Sequence, residues 1–277
     1  MNRLAVLGHP VTHSRSPAMQ TAALVALGLA DQWTYDAMDV EPEQFEARVR
    51  DLPGEGFVGV NVTIPHKEAA LAVADQASRA AQEIGAANTL SFDGGRILAE
   101  NTDATGLLAA LPGPVEGKCA LVLGAGGSAR AVVWALAGRG ALVSVWNRTP
   151  ERADELVRDL AGAGAGTPAE GRLAPVIGDQ VSAGGYELIV NCTAIGMRDE
   201  DPFEHLPIDP ERFDAGITLV DLVYAGAESR LVAEARGRSA TAVDGLEVLV
   251  RQGADSLRIW TGREPSLEVM REAASQH

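Results

Sequence analysis

Apolar and polar positions along the 277-residue chain alternate between two periods, and the change of period marks the elements. Arg3–Gly8 alternates weakly and runs into Gly-His-Pro, as a strand entering a loop does. Met19, Ala22, Ala23, Ala26 and Leu27 then recur at helical spacing within Pro17–Gly28. Trp33–Val40 reads as a strand, Pro42–Leu52 as a helix and Gly56–Val62 as the next strand. Apolar patches and small residues from Lys67 to Ile84 predict two short helices. Ala87–Phe92 and Arg96–Glu100 flank Asp93-Gly94-Gly95 as the arms of a hairpin. A helix over Ala104–Leu111 follows, and Pro112-Gly113-Pro114 marks a boundary.

Beyond that boundary strand and helix alternate regularly. Ala120–Leu123, Ala141–Trp146, Leu173–Ile177, Leu188–Cys192 and Thr218–Leu222 read as strands. Ser128–Gly138, Pro150–Ala161 and Ser229–Arg236 read as helices, and Gly162–Gly171 reads as a loop. This order predicts a parallel sheet with right-handed crossovers. Leu246, Leu249, Val250, Gly253, Ala254, Leu257 and Trp260 repeat every three or four residues and give one apolar helix face. Sequence position alone leaves open whether this last helix extends the second lobe or returns to the first.

Composition narrows the class. The length is enough for two lobes, and the apolar content is mostly Ala, Leu and Val with only 4% aromatics, which suits helices on parallel strands. A formal charge of −15 argues against nucleic acid and means that an anionic ligand must be held by local donors. No apolar run approaches the roughly twenty residues of a membrane span, and Met1-Asn2-Arg3-Leu4 opens into a strand rather than a signal peptide. Cys119 and Cys192 lie in apolar strand-like runs and read as buried thiols in a reducing compartment. Together these predict a cytoplasmic α/β protein.

The glycine-rich segment Gly124-Ala125-Gly126-Gly127-Ser128-Ala129 lies between a strand and a helix, the order a dinucleotide fingerprint requires. The first glycine permits the tight turn, the second lets backbone approach the pyrophosphate, and Ala129 keeps helix and strand close. Free N–H groups at the helix start hold phosphate. The ribose position, twenty-three residues past Gly124, carries Asn147-Arg148-Thr149 and no acid. Arg148 and Arg152 each suit a 2′-phosphate, which favours NADP over NAD. Thr149 also suits a helix N-cap before Pro150, and Arg152 a solvated helix face.

A second set of polar residues looks like the floor of a small-molecule pocket. Asn61 and Thr63, spaced by two, leave the same strand face, opposite Val58, Val60 and Val62. Lys67 and Asp103 together supply an ammonium that can pass a proton and a carboxylate that can orient it. Singly, Lys67 reads as solvated and Asp103 as the N-cap of the helix after it. Ser16-Pro17 reads as an N-cap and first helical residue. Ser14 has no such local role, and two hydroxyls at a helix start also make a carboxylate receptor. His66 reads as structural or exposed, and His9 and His13 are left without a role. A Lys/Asp pair beside a dinucleotide loop points to a reductase of a polar, hydroxylated substrate.

With these residues in place the chain resembles the shikimate dehydrogenase family along nearly its whole length. The resemblance rests on Gly8-x-Pro10-x-x-His13-Ser14-x-Ser16-Pro17, Asn61-Val62-Thr63-x-Pro65-x-Lys67, Gly85-Ala86-x-Asn88-Thr89, Asn101-Thr102-Asp103-x-x-Gly106 and Gly124-Ala125-Gly126-Gly127. It continues in Asn147-Arg148-Thr149, Asn191-x-Thr193-x-x-Gly196-Met197, Asp221-x-x-Tyr224 and Asp244-Gly245-x-x-x-Leu249. It implies a two-domain α/β enzyme with the active site in the cleft. Residues 1–103 and 243–277 would form an N-terminal-type α/β substrate domain, and 104–242 a Rossmann domain for NADP. Ser14 and Ser16 would hold the substrate carboxylate. Asn61, Thr63, Asn88 and Gln252 would contact ring hydroxyls or carboxylate, and Tyr224 would lie near substrate. Lys67 and Asp103 match the catalytic pair. Thr193 would join the cofactor site, and Gly245 would lie near the nicotinamide. NADPH would reduce the C3 carbonyl of 3-dehydroshikimate, with Lys67 as the proton donor, in a monomer or homodimer that uses no metal. His66 and Leu249 depart from the family pattern without touching that chemistry. A quinate or dual quinate/shikimate dehydrogenase is the nearest rival. A non-catalytic NADP-sensing regulator is a rival of another class, and it would be expected to lose Lys67 or Asp103.

Overall fold

Leu4, Ala5, Val6 and Leu7 are all buried, which explains why β1 (Asn2–Gly8) alternates so weakly: both of its faces meet protein. It pairs in parallel with β2 (Trp33–Asp39) on one side and β3 (Phe57–Val62) on the other. The computed structural model describes residues 1–162, 172–178, 181, 185–197, 200–224 and 228–276. Two compact units divide the chain, Met1–Gly106 with Leu249–His277, and Leu107–Val248.

In the first unit, α1 (Ser16–Ala26) joins β1 to β2, and α2 (Phe45–Asp51) follows a short 3-10 turn at Pro42–Gln44. The helix expected over Pro42–Leu52 is therefore broken near its start. After β3 come α3 (Lys67–Val73), β4 (Gln76–Ala77) and α4 (Arg79–Ile84), then the antiparallel hairpin of β5 (Thr89–Asp93) and β6 (Arg96–Glu100). Gly94 and Gly95 both have positive φ, as a two-residue hairpin turn with native twist demands. The sheet order is β2-β1-β3-β5-β6-β4, a mixed sheet, and β4 is a two-residue strand that no period reveals. Ala5, Leu7, Phe45, Val49, Leu52, Val60, Val62 and Leu90 form the core on one face.

α5 (Asp103–Ala110) leads into the second unit, where every strand pairing among the described residues is parallel. Its elements are β7 (Cys119–Leu123), α6 (Gly127–Gly138), β8 (Leu142–Trp146), α7 (Pro150–Gly162), β9 (Leu173–Pro175), β10 (Leu188–Asn191), α8 (Pro202–His205), β11 (Thr218–Asp221), α9 (Arg230–Gly237) and β12 (Thr241–Val243). The order β12-β11-β10-β7-β8-β9 reverses between β7 and β10, the switch point at which doubly wound sheets bind dinucleotides. Val122, Val143 and Val145 face one core and Leu121, Leu123, Ile189 and Leu219 the other. Burial on both faces is why these strands read as unbroken apolar runs. The expected loop at Gly162–Gly171 lies outside the described residues, apart from Gly162 at the end of α7.

α10 (Gly245–Thr261) runs from the second unit into the first, and α11 (Leu267–Ser275) packs on α1. Sequence reading did not anticipate β12, α8 or α11. Gln20 donates from Nε2 to the Gly253 carbonyl at 2.9 Å, and the Trp260 indole N–H donates to the Leu90 carbonyl at 3.1 Å. These bonds tie the apolar face of α10 to α1 and to the sheet of the first unit. No described helix is long and apolar enough to cross a membrane.

Candidate active site

Lys67 is the first residue of α3 and Asp103 the first of α5, and their side chains meet at Nζ to Oδ2, 2.6 Å. Both side chains are largely shielded, with 12% and 15% exposure, so the charge-assisted bond works in a medium of low screening. Asn101 Oδ1 accepts the Ala104 N–H at 3.3 Å. That bond gives Asn101 the capping role sequence reading had allowed for Asp103, and it leaves the Asp103 carboxylate for other partners.

The second oxygen, Asp103 Oδ1, accepts a hydrogen bond from Asn88 Nδ2 at 2.9 Å. Asn88 has one possible orientation, because its Oδ1 must accept the backbone N–H of Thr102 at 2.7 Å. Its Nδ2 then also faces Thr102 Oγ1 at 2.9 Å and Gln252 Oε1 at 3.1 Å. Gln252 itself donates to the Leu249 carbonyl at 2.8 Å. Asn88 is only 2% exposed, so this orientation is enforced in a nearly dry environment.

Asn61 lies deeper. Tyr35 donates its hydroxyl to Asn61 Oδ1 at 2.7 Å, and Asn61 Nδ2 donates to Ser256 Oγ at 2.9 Å, with the Asn88 carbonyl and Thr89 Oγ1 further off. Exposed strand polarity is thereby ruled out for Asn61. Thr63, just past the end of β3, is half-buried; its N–H donates to the Leu7 carbonyl and its carbonyl accepts from His66 N–H. His66 donates from Nε2 to the Val40 carbonyl at 2.7 Å and stacks on Phe45 with ring centroids 4.5 Å apart. Burial pushes its pKa down, so the ring is a neutral structural element.

Ser14 and Ser16 sit at the start of α1, and here the structure corrects two expectations. Ser16 is the first helical residue rather than the N-cap, and Arg15 occupies the cap position. Ser14 has a local role after all, because its Oγ accepts the Ser16 N–H at 3.3 Å. Among the described residues no hydrogen bond links either serine to the Asn88 network. Arg15 is buried and donates to the Ala274 carbonyl near the end of α11 at 2.8 Å, a cation placed at the negative pole of a helix.

In the second unit, Gly124 follows β7 with φ +113°, a conformation side chains avoid, and a Cβ there would meet the Cys192 carbonyl and Thr193 Cγ2 at 3.3 Å. Gly126 caps α6 in an extended conformation and is exposed, and among the described residues nothing beyond its chain neighbours comes within 4 Å of where a Cβ would sit. Ala125 and Ser128 are half-buried, Gly127 opens α6, and Ala129 is fully buried against the sheet. Open space before a helix N-terminus fits a pyrophosphate. Asn147 Nδ2 donates to the Thr149 carbonyl at 2.9 Å, shaping the turn before α7. Arg148 and Arg152 are exposed there, and among the described residues neither pairs with a carboxylate.

Thr193 is held by Asn191, whose Oδ1 accepts both the Thr193 N–H at 3.1 Å and its hydroxyl at 2.7 Å. Asn191 Nδ2 in turn donates to Asp221 Oδ1 at 2.9 Å, and Ser229 donates to Asp221 Oδ2 at 2.6 Å. Burial raises the Asp221 pKa, against the lowering effect of those donors. Tyr224 is half-buried three residues past β11. Gly245 opens α10 so close to the 222–223 segment that a Cβ would lie 2.6 Å from the Leu222 carbonyl. Among the described residues Cys119 and Cys192 form no disulfide, and both are half-exposed, so the expectation of buried thiols fails in degree. Both stand at strand ends, where cover is thinner than in the strand middle.

Thr89 and Thr102, quoted in the sequence motifs but given no individual role, belong to the network, and sequence reading passed over Tyr35 and above all Ser256. Ser256 stands four residues after Gln252, hence on the same helical face, and that spacing was the available signal.

Comparison with known proteins is consistent along the chain. Residues 6–90 match the shikimate dehydrogenase substrate binding domain, and residues 245–274 match the shikimate 5'-dehydrogenase C-terminal domain. A shikimate dehydrogenase (NADP(+)) from Methanothermobacter thermautotrophicus is 41% identical over 97% of this chain and 94% of its own length. A crystal structure of shikimate dehydrogenase in complex with NADP+ is 36% identical with a TM-score of 0.89, covering 100% of this chain and 95% of that one. The Thermus thermophilus shikimate 5-dehydrogenase in complex with NADP(H) and shikimate is 42% identical with a TM-score of 0.86, over 100% and 99%. With identity of this order along essentially its full length, the chain belongs to the shikimate dehydrogenase family.

Proposed function

We propose that this protein is an NADP-dependent shikimate dehydrogenase that reversibly reduces 3-dehydroshikimate to shikimate at the C3 carbonyl. The observation that carries the reading is the shielded Lys67–Asp103 pair at 2.6 Å, with Asn88 on the other carboxylate oxygen, in a chain of this family. In this reading residues 1–103 and 243–277 serve the substrate and 104–242 serve the cofactor.

Bound NADPH supplies the hydride. Gly124, Ala125, Gly126, Gly127, Ser128 and Ala129 would receive its pyrophosphate, Asn147, Arg148, Thr149 and Arg152 its adenosine 2′-phosphate, and Thr193 and Gly245 the remainder. The absence of an acid beside Arg148 supports NADP, since a carboxylate there would repel the phosphate.

Lys67 gives a proton from Nζ to the oxygen that becomes the C3 hydroxyl, and takes it back in the reverse direction. Asp103 keeps the ammonium aimed, and Asn88 keeps Asp103 aimed. A side chain whose orientation is set before substrate arrives avoids reorganisation in the transition state. Ser14 spends a lone pair on the Ser16 N–H and keeps its O–H proton for the substrate carboxylate, with Ser16 beside it. In a chain of charge −15 such local donors are needed to hold an anion. Asn61, Thr63, Asn88, Tyr224 and Gln252 complete the substrate set.

Lys67→Ala should lower kcat by about 10²–10⁴-fold while changing substrate KM far less. An unchanged kcat with only KM raised would remove Lys67 from proton transfer. The broader test is a two-by-two assay of NAD(P)H formation with shikimate or quinate and NADP or NAD. Turnover confined to shikimate with NADP supports the proposal. Turnover of quinate with NAD would move the protein to the dual-specificity group, and silence in all four with NADP still bound would mark a regulator.

A further inference from the structure

We infer that Ser256 is a positioning residue for the Lys67–Asp103 pair, acting through Thr102, Thr89 and Asn88. It is fully buried in the middle of α10, and the hydrogen-bond partners of its hydroxyl lie outside the pair itself. Its hydroxyl lies 2.9 Å from Asn61 Nδ2, 2.8 Å from Thr89 Oγ1, 3.1 Å from Thr102 Oγ1 and 3.0 Å from the Gln252 carbonyl oxygen.

A serine hydroxyl has one proton and two lone pairs. The Gln252 carbonyl can only accept, so it takes the Ser256 proton. The Ser256 oxygen must then receive Asn61 Nδ2 and a threonine hydroxyl, which saturates it. Thr102 is the link onward. Its Oγ1 receives Asn88 Nδ2 at 2.9 Å, and its backbone N–H fixes Asn88 Oδ1 at 2.7 Å. Asn88 then reaches Asp103 Oδ1 at 2.9 Å. Removing the Ser256 oxygen takes from Asn61 Nδ2 its shortest partner, leaving acceptors at 3.2 and 3.3 Å. It also frees the threonine hydroxyls to turn toward Asn88 and compete for its amide. The carboxylate that aims Lys67 thereby loses a fixed neighbour.

This inference rests on the proposed roles of Lys67 and Asp103, and the experiment separates the two. Steady-state kinetics with shikimate and NADP would be compared for wild type, Ser256→Ala, Ser256→Cys, Ser256→Thr, Asp103→Asn and the Ser256→Ala/Asp103→Asn double variant, each checked for native far-UV circular dichroism. Ser256→Ala should lower kcat about 5- to 30-fold, the effect of losing about one buried hydrogen bond, with shikimate KM changed less than about twofold. Ser256→Cys fills the site with a weak donor and should show the same loss if the alanine variant does not fold. Ser256→Thr keeps the hydroxyl and should recover most of kcat. In the Asp103→Asn background the alanine substitution should change kcat less than about twofold, because the carboxylate it serves is gone. A folded Ser256→Ala or Ser256→Cys with wild-type kcat, or a loss that persists in full without the Asp103 carboxylate, would overturn the inference. If Asp103→Asn itself leaves kcat intact, the catalytic reading fails instead.

Discussion

Replacing Gly106 by alanine sets two physical effects of opposite sign against each other. Gly106 lies inside α5, and in an exposed helix the change stabilises by about 1 kcal/mol through backbone entropy. Here the new Cβ would lie 2.8 Å from both Cβ and N of Gln252 and 3.0 Å from its Cα. Ordinary carbon contacts lie near 3.5–4.0 Å, so α5 and α10 must part by roughly 0.5–1 Å. The clashing atoms are backbone and Cβ, which no rotamer change can remove, so the cost belongs at the upper end of the ~1–3 kcal/mol range for overpacking. The net expectation is a loss of about 1–2 kcal/mol, or a fall in Tm of about 2–8 °C for a chain of this size. Gln252, displaced by the new Cβ, should also lengthen its 3.1 Å bond from Asn88, so shikimate KM should rise. Thermal melts by circular dichroism and steady-state kinetics on the same preparation test both parts. A Tm raised by a few degrees with unchanged KM would show that helix propensity wins and that the close approach of α5 and α10 is unimportant.

Three further outcomes follow from named groups. Arg148→Ser should raise NADP KM about 10- to 100-fold, the worth of charge-assisted bonds to a phosphate, and leave NAD KM nearly unchanged; equal effects on both cofactors would detach Arg148 from the 2′-phosphate. Burial raises the Asp221 pKa, so above about pH 4 the unfolded chain holds fewer protons than the folded one and wild-type stability falls as pH rises; Asp221→Asn should lack this component, which urea midpoints compared from pH 4 upward would reveal. His66 has the reverse sign, because burial lowers its pKa: its contribution is present above about pH 6.5 and lost on acidification, so His66→Phe, which can keep the stack on Phe45, should flatten the loss of Tm between pH 7 and 5.

Local pattern by itself determined most of the architecture. The doubly wound sheet was legible because strands buried on both faces read as apolar runs and the helices between them keep a 3.6-residue period. The Gly124–Ala129 loop was legible because a positive φ and an open approach to a helix N-terminus restrict the residues to very few. Elements too short to establish a period, such as Gln76–Ala77 and Thr241–Val243, were not legible, since pairing with a distant strand alone makes them strands.

The polar network was legible only in part. Asn61, Lys67 and Asp103 stood out as chemistry-bearing residues and the family resemblance added Asn88 and Gln252, but nothing in the chain says that Asn88 orients Asp103 or that Tyr35 occupies the Asn61 carbonyl. Ser256 is an ordinary serine on an apolar helix until α10 comes back against β3 and β5, 195 residues from Asn61 in sequence. Gly106 likewise looks like a weak point in a helix until Gln252 is found against it. Tertiary structure decided these matters because a buried hydroxyl or a missing Cβ takes its meaning from whichever atoms folding brings within about 3 Å, and sequence spacing constrains only neighbours along the chain.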